Sequence, residues 1–476
     1  MKITYILFLI LVIMSGVGGI CEQESQNYNK WINRNEGEII EDVISSADKN
    51  IDLGCVLLIL AKEYYPSIDV KKYLDILDNM AREIEDQISA QKEPSDVIRT
   101  INSYLFDVKG FKASPTIYWK PRENYAEKAL LNKVLDNKSG NCLGLSSLYL
   151  ALAERLNLPV YGVSSPEHIF IRYDNGKYIR DIETDKNGAE LGTSAYDYYL
   201  APGMNNPDNQ MFFIGLTKED INFAGYLKNL SKKDVIGIFL MNRGMVYYDN
   251  YDDSKSDSDW RKAIKVSSNP AHTHFEIASF LAGVGTDGAY NRALFHLNEV
   301  IRMSPNYYGS YELKGYLINS TGYTYDAREE LKSALSVYSK AIELNPSLAR
   351  IYYRRAVIYE KINEYDNAIK DIDRAIKLFP SSDRCHLRRA KLLFYKSDND
   401  NAIKELTLTI QLNPKYSEAY YFRGLIYKKL GKKQEAIKDF THYLELEPKS
   451  IRTELVQQYI EELKEKTPPE TKPNEK

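Results

Sequence analysis

The sequence predicts an α+β domain followed by an all-α solenoid of repeats. The domain is indicated by an apolar helix that begins at Cys142 and precedes three β-like segments, because a helix followed by an antiparallel meander is α+β in character. The solenoid is indicated by prolines that recur every 34 residues, at positions 346, 380, 414 and 448, because a fixed period of about 20–50 residues is typical of stacked repeats. At 476 residues, the chain is long enough for two or three cores.

Residues 1–21 form a segment of their own. Lys2 precedes an apolar run from Ile3 to Met14, and mostly small residues follow before Cys21. This pattern is typical of a signal peptide and predicts an exported protein of the cell envelope, secreted or membrane-anchored. The alternative is a membrane anchor, since the apolar stretch approaches the roughly 20 residues that span a bilayer, and Cys21 would be a candidate lipidation site. Residues 22–37 are polar and predict a linker.

Charge and cysteine usage exclude two classes of protein. The chain has 63 Lys and Arg against 66 Asp and Glu, so it lacks the basic excess of a nucleic-acid-binding protein. Without the leader three cysteines remain, an odd and sparse set that is not a disulfide framework: Cys55, Cys142 and Cys385. An unpaired thiol in an exported protein favours a chemical role for one of them.

Residues 38–235 are assigned to the first domain. Apolar residues at helical spacing predict helices from residue 38 to about 108. Behind the helix that starts at Cys142, β-like runs occupy residues 160–164, 169–173 and 177–182. Asp174-Asn175-Gly176 separates the last two runs and is a strong signal for a hairpin.

Residues 236–466 are assigned to the repeat array, with five or six units and a capping helix at 451–464. Alanines stand twelve residues before each of the four periodic prolines, at positions 334, 368, 402 and 436. A 34-residue period with small residues at fixed places resembles the tetratricopeptide repeat, in which small side chains let paired helices approach closely. We expect the array to bind a protein or peptide. The tail, residues 467–476, is predicted to be disordered.

Cys142 is the candidate nucleophile. It follows Ser139-Gly140-Asn141 at the start of a helix, where unpaired N–H groups and the helix dipole favour negative charge. The thiolate is the reactive form of a cysteine. Gly140 and Gly144 would let a substrate carbonyl approach the backbone, whose N–H groups could hold an oxyanion.

A thiolate of this kind needs a base and a group that orients the base. His168 opens a β-like segment in the same part of the chain. A two-residue Asn175-Gly176 turn would place His168 opposite Glu183, with Asp181 diagonal to it on the same face. Spacing alone does not choose between the two carboxylates.

The segments around these residues resemble the bacterial transglutaminase-like superfamily, in the branch with an N-terminal helical region and often C-terminal tetratricopeptide repeats. The likeness covers roughly residues 40–200 and is carried by residues 139–149, Leu158-Pro159-Val160, residues 166–172 and Asp181-Ile182-Glu183-Thr184. The resemblance implies an α+β papain-like transglutaminase-type domain followed by an all-α tetratricopeptide-repeat solenoid. It assigns catalysis to Cys142, His168 and Asp181, with Glu183 as the alternative to Asp181. Glu167 stands where relatives usually have Gly, which adds a carboxylate beside the base.

These features predict a thiol-dependent acyl-transfer protein, which would be a protease, an amidase or a transamidase. In that hypothesis the repeat array docks a protein or peptide partner, and neither a cofactor nor a metal ion is expected. The competing hypothesis is a non-catalytic envelope adaptor whose array mediates protein–protein interaction. Both outcomes occur on one fold, so the fold does not separate them.

Overall fold

In the computed structural model of the protein, the described residues are 31, 34–89, 91, 93–114, 125–166, 168–191, 217–321 and 328–465. The predicted signal peptide, most of the predicted linker, Glu167 and the predicted tail lie outside them. The chain divides into two compact units, of which the first includes the described residues up to Gly283 and the second runs from Val284. Within the described ranges, no helix is long and apolar enough to cross a membrane.

The first unit begins with a helical region. Its helices are α1 (Glu36–Ser45), α2 (Leu53–Tyr64), α3 (Val70–Ile88) and α4 (Pro94–Asn102), and α4 continues into a π-helical turn, Ser103–Val108. Side chains from Asp52 and Asp69 cap α2 and α3 by accepting hydrogen bonds from backbone N–H groups of the first turn. Every residue of α2 from Leu53 to Ala61 is buried, so this helix belongs to the interior of the domain.

The central helix is α7 (Cys142–Arg155). It follows two short helices, α5 (Tyr125–Ala129) and α6 (Leu131–Asn137). All of its residues from Leu143 to Ala153 are buried, as expected of a helix that is apolar on all sides. It packs against α2, α3 and the sheet, and this surrounding fixes the position of its first residue, Cys142.

Two sheets complete the first unit. Strands β1 (Lys112–Ala113) and β2 (Ser139–Gly140) form a short parallel pair. The larger sheet is antiparallel with the order β6-β5-β4-β3-β7, formed by β3 (Val160–Ser165), β4 (His168–Asp174), β5 (Ile179–Glu183), β6 (Ala189–Leu191) and β7 (Asn229–Leu230). The predicted α+β class of the first domain is confirmed.

The register of the β4–β5 hairpin differs from the prediction. Asp174 lies opposite Ile179, not Lys177, because the two turn residues are Gly176 and Lys177 rather than Asn175 and Gly176. The N–H of Asn175 donates to the carbonyl of Tyr178 at 3.3 Å and closes this turn. Gly176 has a φ of +82°, which suits the first turn position of a II′ hairpin. The one-residue displacement of the turn shifts every cross-strand pair by two residues, so side chains keep their face but change their neighbours.

The remaining helices of the first unit are α8 (Lys218–Ala224), α9 (Lys232–Asp249), α10 (Asp253–Val266) and α11 (Pro270–Val284), the last of which ends at the division between the units. Helices α9 and α10 form a pair in which Arg243 donates two hydrogen bonds to Asp259, at 2.6 and 2.7 Å. Arg243 also contacts Glu36 and the carbonyl of Leu60. The first unit therefore includes a helix pair that we assigned by sequence to the array from residue 236.

The second unit is a helical array. It starts with α12 (Asp287–Met303) and continues with four helix pairs and a last helix, which are α13 (Tyr308–Thr321) with α14 (Arg328–Leu344), α15 (Ala349–Lys361) with α16 (Tyr365–Leu378), α17 (Asp383–Tyr395) with α18 (Asn399–Leu412), α19 (Ser417–Lys429) with α20 (Lys433–Leu446), and α21 (Thr453–Glu465). The alanines at the predicted periodic positions are fully buried: Ala334, Ala368, Ala402 and Ala436. The predicted helical repeat architecture is confirmed.

Two hydrogen-bond patterns recur along the array. An arginine in the first helix of a pair binds a carboxylate 16 residues later in the second helix, as in Arg355–Asp371 and Arg423–Asp439. The same separation joins Arg243 to Asp259 in the α9–α10 pair of the first unit. At Pro305, Pro346, Pro380 and Pro414 the residue six positions later bonds the proline carbonyl, through a hydroxyl or, at His386, a ring nitrogen: Tyr311, Tyr352, His386 and Tyr420.

Candidate active site

The backbone around Cys142 is fixed from both sides. Asn141 is the N-cap of α7, and its side chain accepts a hydrogen bond from the N–H of Gly144 at 2.9 Å. The N–H of Asn141 donates to the carbonyl of Lys128 at 3.0 Å, and Ser114 donates to the carbonyl of Gly140 at 2.8 Å. The start of the helix therefore has a defined position, with Cys142 as its first residue.

Gly144 has a packing role. A Cβ atom at this position would lie 2.2 Å from the carbonyl oxygen of Lys128 and 2.8 Å from Val134 Cγ2. At Gly140 a Cβ would lie 3.1 Å from the same carbonyl. The chain itself occupies the space beside both glycines, so our interpretation that they leave room for a substrate carbonyl is wrong.

His168 is the first residue of β4, and it reaches both Cys142 and Glu183. Its Nε2 atom lies 2.8 Å from Glu183 Oε2, and the Cys142 side chain lies close enough to the ring to raise the pKa of His168. The His168 side chain is 8% exposed and the Glu183 side chain is 1% exposed, whereas Cys142 is only partly buried. The structure therefore brings a thiol, an imidazole and a carboxylate into one continuous chain of contacts.

The imidazole keeps its proton well above neutral pH. Burial opposes the charged ring, but Cys142 and Glu183, which accept hydrogen bonds from the charged ring and carry negative charge, outweigh burial and raise the pKa of His168 to about 10. At pH 7 the imidazolium therefore donates from Nε2 to the carboxylate of Glu183.

Asp181 has a different partner. Its carboxylate accepts two hydrogen bonds from the Arg172 guanidinium, at 2.6 and 3.0 Å, and it is fully buried. Arg172 also donates to the carbonyl of Leu227 at 2.9 Å, which ties the segment before β7 to the sheet. The structure thus places Asp181, the orienting carboxylate that we predicted first, against Arg172, and the alternative, Glu183, against His168.

The structure adds Asp185, which the sequence reasoning missed. It lies in the 3₁₀ turn Thr184–Lys186 that directly follows β5. His168, Glu183 and Asp185 each bring one side-chain nitrogen or oxygen atom to within 4.8 Å of the others. A divalent ion could bridge such a group, but the imidazole and Glu183 are already bonded to each other, so we interpret it as a hydrogen-bonded pair with a second carboxyl beside it. The observed hairpin register is the signal that would have identified Asp185.

The two other described cysteines are chemically distinct from Cys142. Cys55 in α2 and Cys385 in α17 are buried, and neither forms a disulfide within the described part of the chain. Burial raises the pKa of the Cys55 thiol far above its ordinary value and that of Cys385 to about 11. Both thiols therefore stay protonated at neutral pH, whereas Cys142 is partly exposed and lies beside the His168 ring.

Comparison with known families identifies both parts of the chain. Residues 71–221 match the family described as the transglutaminase-like superfamily. Residues 349–382 and 417–450 match the tetratricopeptide repeat, and residues 322–363 match a further repeat family of that kind.

Similar proteins include bacterial UPF0162 proteins and a human F-box protein. The UPF0162 protein YchA of Escherichia coli K12 is 27% identical over 170 residues, which are 35% of this chain and 60% of YchA. A UPF0162 protein of Xylella fastidiosa is 26% identical over 136 residues, 28% of this chain and 47% of that protein. Human F-box only protein 21 is 27% identical over 137 residues, 29% of this chain and 19% of that protein. The chain thus spans about half the length of the UPF0162 relatives.

Two solved structures illustrate the similarity. The crystal structure of MamA is 25% identical, covers 34% of this chain and 91% of MamA, and has a TM-score of 0.32. The structure of YrrB, whose title calls it a TPR protein with an unusual peptide-binding site, is 17% identical, covers 42% of this chain and 97% of YrrB, and has a TM-score of 0.35.

Proposed function

Because the chain combines a transglutaminase-like domain at residues 71–221 with tetratricopeptide repeats, we propose that it is a thiol-dependent acyl-transfer protein. The observation that carries this proposal is the contact chain from the Cys142 thiol through the His168 ring to the Glu183 carboxylate. A nucleophile, a proton carrier and an orienting carboxylate in this order are the parts that covalent acyl transfer needs.

The proposed reaction starts from an ion pair. An imidazolium beside a cysteine favours its thiolate, so Cys142 attacks the carbonyl carbon of an amide as the thiolate. The C–N bond breaks when His168 gives its proton to the departing amine, and a thioester remains on Cys142. Water or an amine then attacks the thioester, and neutral His168 accepts the proton of that nucleophile. The S–C bond breaks, and the thiolate–imidazolium pair is restored.

Helix α7 offers donors for the oxyanion of this reaction. The first N–H groups of a helix have no acceptor within the helix. The N-cap side chain of Asn141 takes the N–H of Gly144, and the carbonyl of Asn141 takes that of Leu145. The N–H groups of Cys142 and Leu143 precede these two in the first turn, and we assign them to the developing negative charge.

The repeat array is the second part of the proposal. Tetratricopeptide repeats are a protein-interaction architecture, so we propose that the array binds the protein or peptide that presents the acyl group. Because the leader has the pattern of a signal peptide, we also propose that the protein acts outside the cytoplasm. The choice between water and an amine as acyl acceptor distinguishes a protease or amidase from a transamidase.

The test is acylation and alkylation of Cys142 in the full-length chain. Iodoacetamide at pH 6 should alkylate Cys142 at least about tenfold faster than a short cysteine peptide, because a thiolate reacts and a thiol does not. p-Nitrophenyl acetate should acetylate Cys142, as detected by peptide mass spectrometry. His168→Ala should remove both effects, and Cys55 and Cys385 should stay unmodified as internal controls.

The opposite result would favour the adaptor hypothesis. If Cys142 reacts at the rate of the peptide at pH 6, and His168→Ala leaves that rate unchanged, then the domain is not an acyl-transfer enzyme. The array would then carry the function through protein–protein interaction alone.

A further inference from the structure

Asp185 lies beside the carboxylate that contacts the imidazole. In the β4–β5 hairpin Ile171 is opposite Ile182 and Arg172 is opposite Asp181. Asp185 follows two residues after Glu183, in the 3₁₀ turn that begins where β5 ends. Its carboxyl group lies within 4.8 Å of both the His168 ring nitrogen and the Glu183 carboxyl.

The turn that carries Asp185 is held in place by bonds at both ends. Thr184 Oγ1 and Ser146 Oγ share a hydrogen bond of 3.0 Å, which ties the turn to α7. The N–H of Gly188 donates to the carbonyl of Glu183 at 2.9 Å, and Asn102 Nδ2 donates to the carbonyl of Gly188 at 2.8 Å. Asp185 therefore has a fixed position relative to Cys142, although it lies outside the strands.

One oxygen of Asp185 lacks a hydrogen-bond donor. Its Oδ1 atom is buried and accepts no hydrogen bond from any residue in the described part of the chain. Two carboxylates in contact repel each other, and one proton shared between them removes this repulsion. Burial and the charge of Glu183 raise the pKa of Asp185, although the charge of His168 opposes this. These effects favour the protonated form of Asp185 over that of an ordinary aspartate.

We propose that Asp185 is a positioning residue that donates a hydrogen bond to Glu183 and thereby holds the Glu183 carboxylate against His168. This role deepens the proposed function, because it adds a fourth group to the line Cys142–His168–Glu183. Glu183 then bonds the imidazolium on one side and the carboxylic acid of Asp185 on the other. A single rotamer of Glu183 satisfies both bonds, which keeps the ring directed at the thiol.

The test compares three substitutions in the full-length chain. Asp185→Asn keeps a donor, since an amide N–H replaces the acid O–H, whereas Asp185→Ala removes it. Glu190→Gln is the matched control, because Glu190 is an exposed carboxylate on the adjacent strand β6. The readouts are the rate of Cys142 alkylation by iodoacetamide at pH 6 and the ¹⁵N resonance of the His168 ring, with thermal unfolding as the folding check.

We expect Asp185→Ala to slow alkylation of Cys142 by about three- to tenfold and to shift the His168 resonance. The reason is that Glu183 loses the hydrogen bond that supports it. Asp185→Asn should restore both readouts to near the original values, and Glu190→Gln should change neither. A purely structural role of Asp185 would affect thermal unfolding and leave the His168 resonance unchanged.

Failure of this inference is separable from failure of the proposed function. Suppose that His168→Ala slows alkylation, and that Asp185→Ala is folded and has the alkylation rate and the His168 resonance of the unaltered chain. Asp185 then has no positioning role, and the proposed function stands. If His168→Ala has no effect on alkylation, the proposed function fails. The resonance then still decides whether Asp185 positions Glu183. An equal decrease of the Cys142 alkylation rate in Asp185→Asn and Asp185→Ala would also overturn the inference.

Discussion

His168 Nε2 lies 2.8 Å from Glu183 Oε2, while Asp181, two residues earlier on the same strand, is bound by Arg172. Both carboxylates are buried and lie on the same strand, but they have different partners. Glu183 acts on the imidazole, and Asp181 holds the sheet to the segment around Leu227. This division of roles leads to opposite expectations for the two residues.

Replacement of Glu183 should affect reactivity, and replacement of Asp181 should affect stability. Glu183→Gln removes the charge that supports the imidazolium, so alkylation of Cys142 at pH 6 should slow by about tenfold or more. Asp181→Asn leaves the half-buried Arg172 without its charge partner and should lower the free energy of unfolding by about 3 kcal/mol. Alkylation kinetics and urea unfolding of both variants measure the two effects.

The outcome that contradicts this division is an exchange of the two effects. Asp181→Asn should keep the alkylation rate of the unaltered chain at temperatures where it is folded. If Asp181→Asn slows alkylation as strongly as Glu183→Gln does, then the orienting carboxylate is Asp181, as the sequence resemblance implied.

The charge of His168 makes stability depend on pH. Its pKa is about 10 in the folded chain against an ordinary value of 6.5. The folded state therefore binds the proton more tightly than the unfolded state does. This contribution is fully present below about pH 6.5 and is lost as the pH rises through about 10. His168→Gln should thus destabilise the chain at pH 6 and should have little effect at pH 10, as measured by urea unfolding at both values. A difference between the two chains that grows with pH would show that the imidazole is neutral in the folded state.

The sequence predicted the residue types of the site but not their pairing. Cys142 and His168 follow from helix-start chemistry and from the family resemblance, and the structure brings them into contact. The choice between Asp181 and Glu183 depends on hairpin register, and the register depends on which two residues form the turn. The side chain of Asn175 accepts hydrogen bonds from Lys177 and Tyr178 and places the turn one residue later than an Asn-Gly pattern indicates. Such side-chain bonds are not visible in the spacing of apolar residues.

The extent of the first unit shows the same limit. The 34-residue period was strong enough to predict the helix pairs of the array. It carries no information about which core a helix pair joins. The α9–α10 pair lies in the first unit because Arg243 and Lys262 both bond Glu36, far away in the sequence.

Glu154 gives a second test of pH dependence, with the same sign but in a lower pH range than His168. It lies near the C-terminal end of α7, where its carboxylate contacts Lys232 and accepts the N–H of Leu53 at 2.9 Å. Burial and the charge of Asp52 raise the pKa of Glu154 to about 7, although Lys232 opposes them. The folded chain therefore keeps a proton that the unfolded chain loses between about pH 4.5 and 7, so stability falls as the pH rises through this range.

Glu154→Gln cannot titrate and should remove this fall. Relative to the variant, the unaltered chain should lose about 1–2 kcal/mol of unfolding free energy between pH 4.5 and 7. This value is smaller than the full pKa shift would give, because the Glu154 side chain is 21% exposed and water screens its charge. Urea unfolding of both chains at several pH values in this range measures the difference. Parallel curves would mean that Lys232 keeps Glu154 ionised throughout.

The array makes a prediction about packing. Ala368 is fully buried where α15 and α16 meet, so Ala368→Leu should overpack this helix pair and cost about 1–3 kcal/mol. Lys370→Leu, two residues later on the exposed face of α16, is the control and should have a far smaller effect. Thermal unfolding of both variants is the measurement. In a loosely packed helix pair, leucine would leave the unfolding temperature nearly unchanged at both positions.

The arginines at equivalent places in two helix pairs should differ in their contribution to stability. Arg423 bonds Asp439 and the Thr407 hydroxyl, and its side chain is 16% exposed. Arg243 is 4% exposed and bonds Asp259, Glu36 and a backbone carbonyl. Arg243→Met therefore leaves the buried Asp259 carboxylate without its hydrogen-bond donor and leaves Glu36 with Lys262 alone, and it should cost about 3–5 kcal/mol.

Arg423→Met removes a less buried pair and should cost clearly less, because water can solvate the carboxylate that is left. Hydrogen exchange of the amides in α9 and α19 measures the local effect of each substitution. Equal loss of protection in the two helices would show that the α9–α10 pair behaves as an ordinary repeat. If Arg243→Met lowers amide protection in both α9 and α2, and Arg423→Met does not lower it as much in α19, then the α9–α10 pair unfolds together with the helices around Cys142.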